Sequence, residues 1–149
     1  MANVRTLNKD KYNISNYRFR ELYYFCLQYP EWKQALDRIR NTLKGLGYDS
    51  FVSSGLPGDP TMNAAIQSME LANKCQVIER AAELADSELQ EYIIYAVTHE
   101  NVTFNALKNQ QDMPCERDRY YNSRRKFYWF LDRILRKSEE RQADEYYDY

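Results

Sequence analysis

Eight apolar side chains, Leu22, Phe25, Tyr29, Trp32, Leu36, Ile39, Leu43 and Leu46, follow one another at spacings of 3, 4, 3, 4, 3, 4 and 3. Only a helix brings such a series onto one line, because its turn returns the chain to the same face every third or fourth residue, whereas a strand needs strict alternation. The pattern is that of a coiled-coil seam. Pro30 falls inside it. A proline in a helix interior removes a backbone donor and costs about 3 kcal/mol. The spacing therefore predicts a kink or short break after Tyr29, with Pro30 opening a second segment that ends at Gly45 and Gly47. Only four Gly and four Pro occur in 149 residues, too few for the turns of a sandwich or barrel. The expected fold is all-α. Residues 47–60 hold three of those glycines and two of the prolines and form its one true loop.

Further helices are marked out by their caps. Residues 1–14 are polar and aperiodic, which reads as an arm, and Ser15 or Asn16 can cap a helix opening on Tyr17. Asp59-Pro60 has the cap-then-proline order of a helix start. From there Met62, Ala65, Met69 and Ala72, then Leu71, Cys75, Ile78, Ala82 and Ala85, recur at helical spacing. Two long stripes joined by a loop predict an antiparallel helical hairpin, the first unit, over residues 1–86. Ser87 and Gln90 fit a capping box for a third helix carrying Leu89, Ile93, Ala96 and Val97, ended by His99-Glu100-Asn101. Thr103 caps a short helix with Phe104 and Leu107 inward, reaching about Gln111. Met113-Pro114 is a tight turn. A last helix runs from about Cys115 to Lys137, with Tyr120, Arg124, Phe127, Leu131 and Ile134 on one face. Residues 87–137 form the second, tri-helical unit, and the acidic tail 138–149 is expected to fray.

The net charge of −1 conceals segregation. Residues 1–44 carry nine Lys/Arg against four Asp/Glu, residues 45–102 two against nine, residues 115–137 eight against three, and residues 138–149 one against five. A basic block between acidic ones argues for an oriented field, so a polyanionic partner is compatible with this composition; equally, charged helices can simply solvate themselves. Cys26, Cys75 and Cys115 are odd in number, far apart and without CxxC spacing, which speaks against a disulfide framework or a zinc site and for a reducing compartment. No run has the length and apolarity of a membrane span, and no signal pattern opens the chain, so a cytoplasmic protein without a membrane partner is expected.

A short helix, a turn of three or four residues and a longer basic helix follow the helix-turn-helix plan, whose second helix lies in the DNA major groove. Cys115, Glu116, Arg119 and Tyr120, in the opening turns, are then expected to reach base edges. Arg117, Arg119, Arg125, Lys126, Arg133 and Lys137 are expected to meet phosphates, with Arg124 counted in the same DNA-binding set. A basic amphipathic helix that ends a bundle and covers apolar surface with its arginine stems is the alternative.

The stretch TFNALKNQQDMPCERDRYYNSRRKFYWFLDRIL resembles region 4 of bacterial sigma factors. Thr103, Phe104, Leu107 and Met113 fall at the cap and apolar positions of that pattern, and Glu116, Arg117 and Arg119 match its acidic-basic-basic opening of the reading helix. The pattern is left at Asp118, where an apolar residue belongs, and at Cys115, often Arg. Either departure fits a register shift by one residue or a fold kept without its DNA-reading role. Residues 17–135 resemble small proteins of Firmicutes prophages and, more distantly, late-gene activators of the ArpU and RinA type, through the aromatic-rich end YYNSRRKFYWFLDRIL. The resemblance implies a phage-type transcriptional regulator that binds double-stranded DNA, its hairpin dimerising or meeting host RNA polymerase.

Catalysis finds little support. His99 is the only histidine, the carboxylates of Glu79, Glu83, Asp86 and Glu91 have no histidine beside them, and no glycine-rich phosphate loop occurs, so neither an enzyme nor a cofactor or metal is expected. The competing expectation is a mobile-element protein that grips a host protein, such as an inhibitor of a defence (CRISPR) nuclease, using the acidic 45–102 block to imitate nucleic acid and the fourteen tyrosines of the whole chain as interface anchors. A helical adaptor built on the Leu22–Leu46 seam is a third.

Overall fold

The computed structural model describes residues 14–45 and 59–147. Among them the protein is all-helical: α1 (Asn16–Leu27), α2 (Tyr29–Gly45), α3 (Pro60–Ala85), α4 (Gln90–Thr98), α5 (Phe104–Gln111) and α6 (Arg117–Tyr147). The expected arm over 1–13, Leu46 and most of the 47–60 loop lie outside the described residues. Ile14, assigned to that arm, is buried.

Local chemistry sets most of the boundaries. Ser15 Oγ accepts from the Arg18 amide at 3.1 Å, so Ser15 is the cap that opens α1. The break before Pro30 falls at Gln28, and Tyr29, with the proline behind it, starts α2. Asp59 Oδ1 accepts from the Thr61 amide at 3.0 Å, and Pro60 takes the first position of α3. Thr103 Oγ1 accepts from the Ala106 amide at 3.1 Å to start α5. The Ser87–Gln90 capping box does not form. Leu89 is the N-cap and makes no side-chain cap bond; Asp86 instead closes the turn ahead of the helix, its Oδ1 accepting from the Leu89 amide at 3.3 Å, while the Gln90 side chain donates to the Glu79 carbonyl at 3.2 Å. Nor does the tail fray where expected. Residues 138–147 are rich in Glu, Gln, Arg and Ala, good helix formers, and continue α6 to Tyr147.

Residues 14–27 and 77–147 form one compact unit and residues 28–76 another, a partition that departs from the expected hairpin over 1–86. In the first unit α1, α4 and α6 pack on one another. Leu22, Cys26, Ile78, Leu89, Ile93, Val97, Phe127 and Leu131 make its interior, each large apolar side chain stabilising by about 1.5–3 kcal/mol. Phe19 meets Tyr128 edge to face at 4.8 Å, and the buried Asp132 carboxylate accepts from Arg18 at 2.7 Å and from Arg136 at 2.9 Å. The Leu22–Leu43 stripe is thus shared between the units. Leu22 serves the first, and Trp32, Leu36 and Leu43 are buried in the second, where Lys74 Nζ lies 5.3 Å from the Trp32 ring centre. The reason is the break at Gln28, which frees α1 to follow its own buried face, Phe19, Leu22, Tyr23 and Cys26.

No described helix is long and apolar enough to cross a membrane. Among the described residues no group of three or more His, Cys, Asp or Glu side chains could hold a metal ion.

Candidate nucleic-acid interface

The segment from α5 into α6 is held from both sides. Phe104 and Leu107 anchor α5 in the interior, and Asp112 ends it in the left-handed conformation at φ 50°, which turns the chain sharply. The Met113 amide donates back to the Leu107 carbonyl at 3.4 Å, and the Met113 side chain fills the space under the turn. Lys108 Nζ donates to the Cys115 carbonyl at 3.0 Å, tying α5 to the residues just ahead of α6. The Phe104 and Tyr120 rings, 5.8 Å apart, complete the joint.

The inward face of α6 is Tyr120, Ser123, Phe127, Tyr128, Leu131 and Asp132. That register decides what each sequence-derived site residue can do. Tyr120 is fully buried, its hydroxyl accepting from Arg124 Nη1 at 3.3 Å, and burial pushes its phenol pKa up. Arg124 lies on the same inward line. Neither is presented to a ligand, a correction to their assignment as DNA contacts. The physical reason was present in the stripe Tyr120, Arg124, Phe127, Leu131: residues four and three apart share a face, and that face is the core.

Arg119 is turned back onto its own protein. Its Nε donates to Asp86 Oδ2 at 3.0 Å, and its Nη2 to Asp86 Oδ1 at 3.1 Å and to Glu88 Oε2 at 2.9 Å. Those bonds, to Asp86 first and Glu88 second, hold the guanidinium's pKa above its ordinary value. Burial opposes the charged form of Asp86, yet Arg119 and the Ser123 hydroxyl, which donates at 3.1 Å, keep its carboxyl below the usual range. Two carboxylates of the acidic 45–102 block are therefore spent on an arginine of the basic block.

The remaining assigned residues stay at the surface. Glu116 is exposed, 3.7 Å from Lys108 Nζ. Arg117 is exposed, with its guanidinium 5.4 Å from the Phe104 ring centre. Lys126 is exposed and Arg125, half-buried, is hydrogen-bonded to Asn122 Oδ1. Cys115 is buried, and burial raises its thiol pKa. Opposite the core, α6 instead carries Asp118, Asn122, Arg125, Lys126, Trp129 and Arg133, the last stacked 4.1 Å over the Trp129 ring, while Tyr121 flanks the core beside Tyr120. Sequence reasoning overlooked Asp118 and Asn122 as outward-facing residues. Counting 3.6 residues per turn away from Phe127 and Leu131 finds them.

His99 closes α4, its ring stacked on Tyr95 at 4.4 Å and its Nδ1 2.9 Å from the Tyr95 carbonyl oxygen. Glu83 pairs with Arg80 at 3.2 Å. The His99 Nδ1 also lies 3.1 Å from Thr98 Oγ1, whose hydroxyl donates to the Ile94 carbonyl at 2.6 Å. Comparison of the chain with protein-family models, with curated proteins and with solved structures finds no match in any of the three.

Proposed function

We propose that this protein binds double-stranded DNA as a phage-type transcriptional regulator, with α5, the 112–116 turn and α6 acting as a helix-turn-helix. The observation that carries the reading is the outward face of the opening turns of α6, where Asp118, Asn122, Arg125 and Lys126 recur at three- and four-residue spacing behind a pinned turn. In a helix that enters the major groove, the residues reaching base edges are those of the first turns on the side away from the core. Asn can bond adenine in bidentate fashion, Asp can accept from cytosine, and Arg can donate to guanine. Arg133 and Lys137, further along, suit phosphates. Arg119 keeps the turn in place rather than reading bases.

Fluorescence anisotropy with duplexes from the intergenic DNA flanking its own gene tests this. Binding should weaken steeply with salt, with a slope of about −0.9 per phosphate neutralised. Arg125→Ala and Lys126→Ala should weaken it, Asn122→Ala should change base preference, and Arg119→Ala should leave that preference unaltered. No affinity at low salt for any such duplex would end the proposal.

A second reading is favoured by exposed aromatic surface. Tyr17 and Tyr24, 77% and 55% exposed, stand seven residues apart on α1, and such pairs anchor protein interfaces. It assigns the chain to a host protein, RNA polymerase or a defence nuclease. Tyr17→Ala with Tyr24→Ala should then abolish recovery of one stoichiometric lysate protein while leaving DNA affinity unchanged; recovery undiminished in the double variant overturns it.

A further inference from the structure

Beyond the packed body, α6 runs on with every residue from Arg136 to Tyr147 exposed. A solitary helical segment of this length is marginal in water, because helices draw most of their stability from packing. Its sequence carries a symmetry that a plain solvated extension does not need. Read outward from the point between Glu140 and Arg141, Glu140 faces Arg141, Lys137 faces Asp144, Arg136 faces Glu145 and Ile134 faces Tyr147. Each opposed pair is complementary, acid with base or apolar with apolar.

We propose that this extension of α6 pairs antiparallel with the same segment of a second copy of this chain, about a two-fold axis through the Glu140–Arg141 step. A two-fold interface is self-complementary by construction: residue i of one copy meets j of the other, and j meets i. The palindrome supplies that condition. Helical geometry supplies the other, since Ile134, Lys137, Glu140, Arg141, Asp144 and Tyr147 recur at three- and four-residue intervals and share one face. Arg136 and Glu145 flank it. Arg136 gives its Nε to Asp132 of its own helix and remains 57% exposed, so its head group is accessible to a partner carboxylate. Tyr147, 83% exposed, is covered by the Ile134 end of the second copy. The paired stretch, Ile134–Tyr147, is roughly 20 Å long at 1.5 Å per residue. Its contacts are mostly ionic, so the dimer is weak and salt-sensitive. The pairing does not depend on DNA binding, and it uses a different surface from the Leu22–Leu46 seam.

Sedimentation velocity of the full chain, from micromolar to hundred-micromolar concentrations in low and high salt, tests it. The expected result is a monomer–dimer equilibrium that strengthens at low salt. Lys137→Glu alone and Asp144→Lys alone should each raise the dimer dissociation constant by about tenfold, because like charges then oppose each other twice per dimer. The double variant should recover dimerisation, and the two single variants mixed should form a heterodimer. Far-UV circular dichroism checks that each variant keeps its helix content. A monomer at every concentration and salt overturns the proposal, as does a dimer indifferent to these reversals; the same data leave the DNA reading untouched, since that is read by anisotropy on Arg125→Ala and Lys126→Ala.

Discussion

Replacing Asp86 by Ala removes, in one step, the acceptor for Arg119 Nε at 3.0 Å and Nη2 at 3.1 Å, for the Ser123 hydroxyl at 3.1 Å and for the Leu89 amide at 3.3 Å. The Asp86 side chain is 14% exposed and that of Arg119 44%, so the pair is screened on one side only. Loss of the side-chain acceptor for the Leu89 amide costs about 1 kcal/mol. The charge-assisted bonds to Arg119 are lost as well, screened by solvent on the arginine side. With the stranded Ser123 hydroxyl, the expected cost is about 2–3 kcal/mol, a fall in Tm of roughly 5–10 °C for a chain of this size. Arg119→Ala should destabilise less than Asp86→Ala, and the double-mutant cycle should return a non-zero coupling, measured by urea unfolding followed by circular dichroism. Because the folded carboxyl titrates below its unfolded value near 3.9, its contribution is whole above about pH 4 and disappears as pH falls through the lower folded pKa. The Asp86→Ala variant should therefore lose less stability than the parent on acidification across that window. Additive single variants, or an unchanged Tm for Asp86→Ala, would refute the view that this cluster fixes α6 against the end of α3.

Three further outcomes follow from the same coordinates. Arg125→Ala combined with Lys126→Ala should lower the salt slope of DNA binding by about two phosphate contacts while leaving folding stability within about 1 kcal/mol of the parent, read by anisotropy and urea unfolding. Tyr128→Phe removes a buried hydroxyl that has the Arg124 guanidinium as a polar neighbour, with no bond of good geometry between them, so its stability in urea should fall by no more than about 1 kcal/mol; a loss above about 2 kcal/mol would contradict that environment. All three thiols are buried, and burial raises the pKa of Cys26 and Cys115, so a thiol-specific reagent should modify the native protein slowly and the urea-unfolded chain at once, with fast labelling of native Cys26 the contrary result.

Most of the secondary structure is legible because it is written in short-range chemistry. Ser15, Asp59 and Thr103 accept from the amides two or three residues ahead, and Phe104, Leu107 and Met113 are buried as their spacing requires. Such signals depend on neighbours a turn away, so they survive in any tertiary setting. The Ser87 capping box failed because Asp86 stands one residue earlier with a stronger acceptor and an arginine to hold it, and that arginine is Arg119, 33 positions distant.

What the amino-acid order alone determined is the helical class, the caps, the break ahead of Pro30 and the existence of a basic final helix. Which helices share a core was decided only in three dimensions, because one apolar stripe is divided between two units at the helix break at Gln28. The same holds for the candidate interface. Its location on α6 follows from composition, but which arginines remain available depends on where Asp86, Glu88 and Tyr120 lie, and long-range pairing of charges cannot be read from their order along a chain.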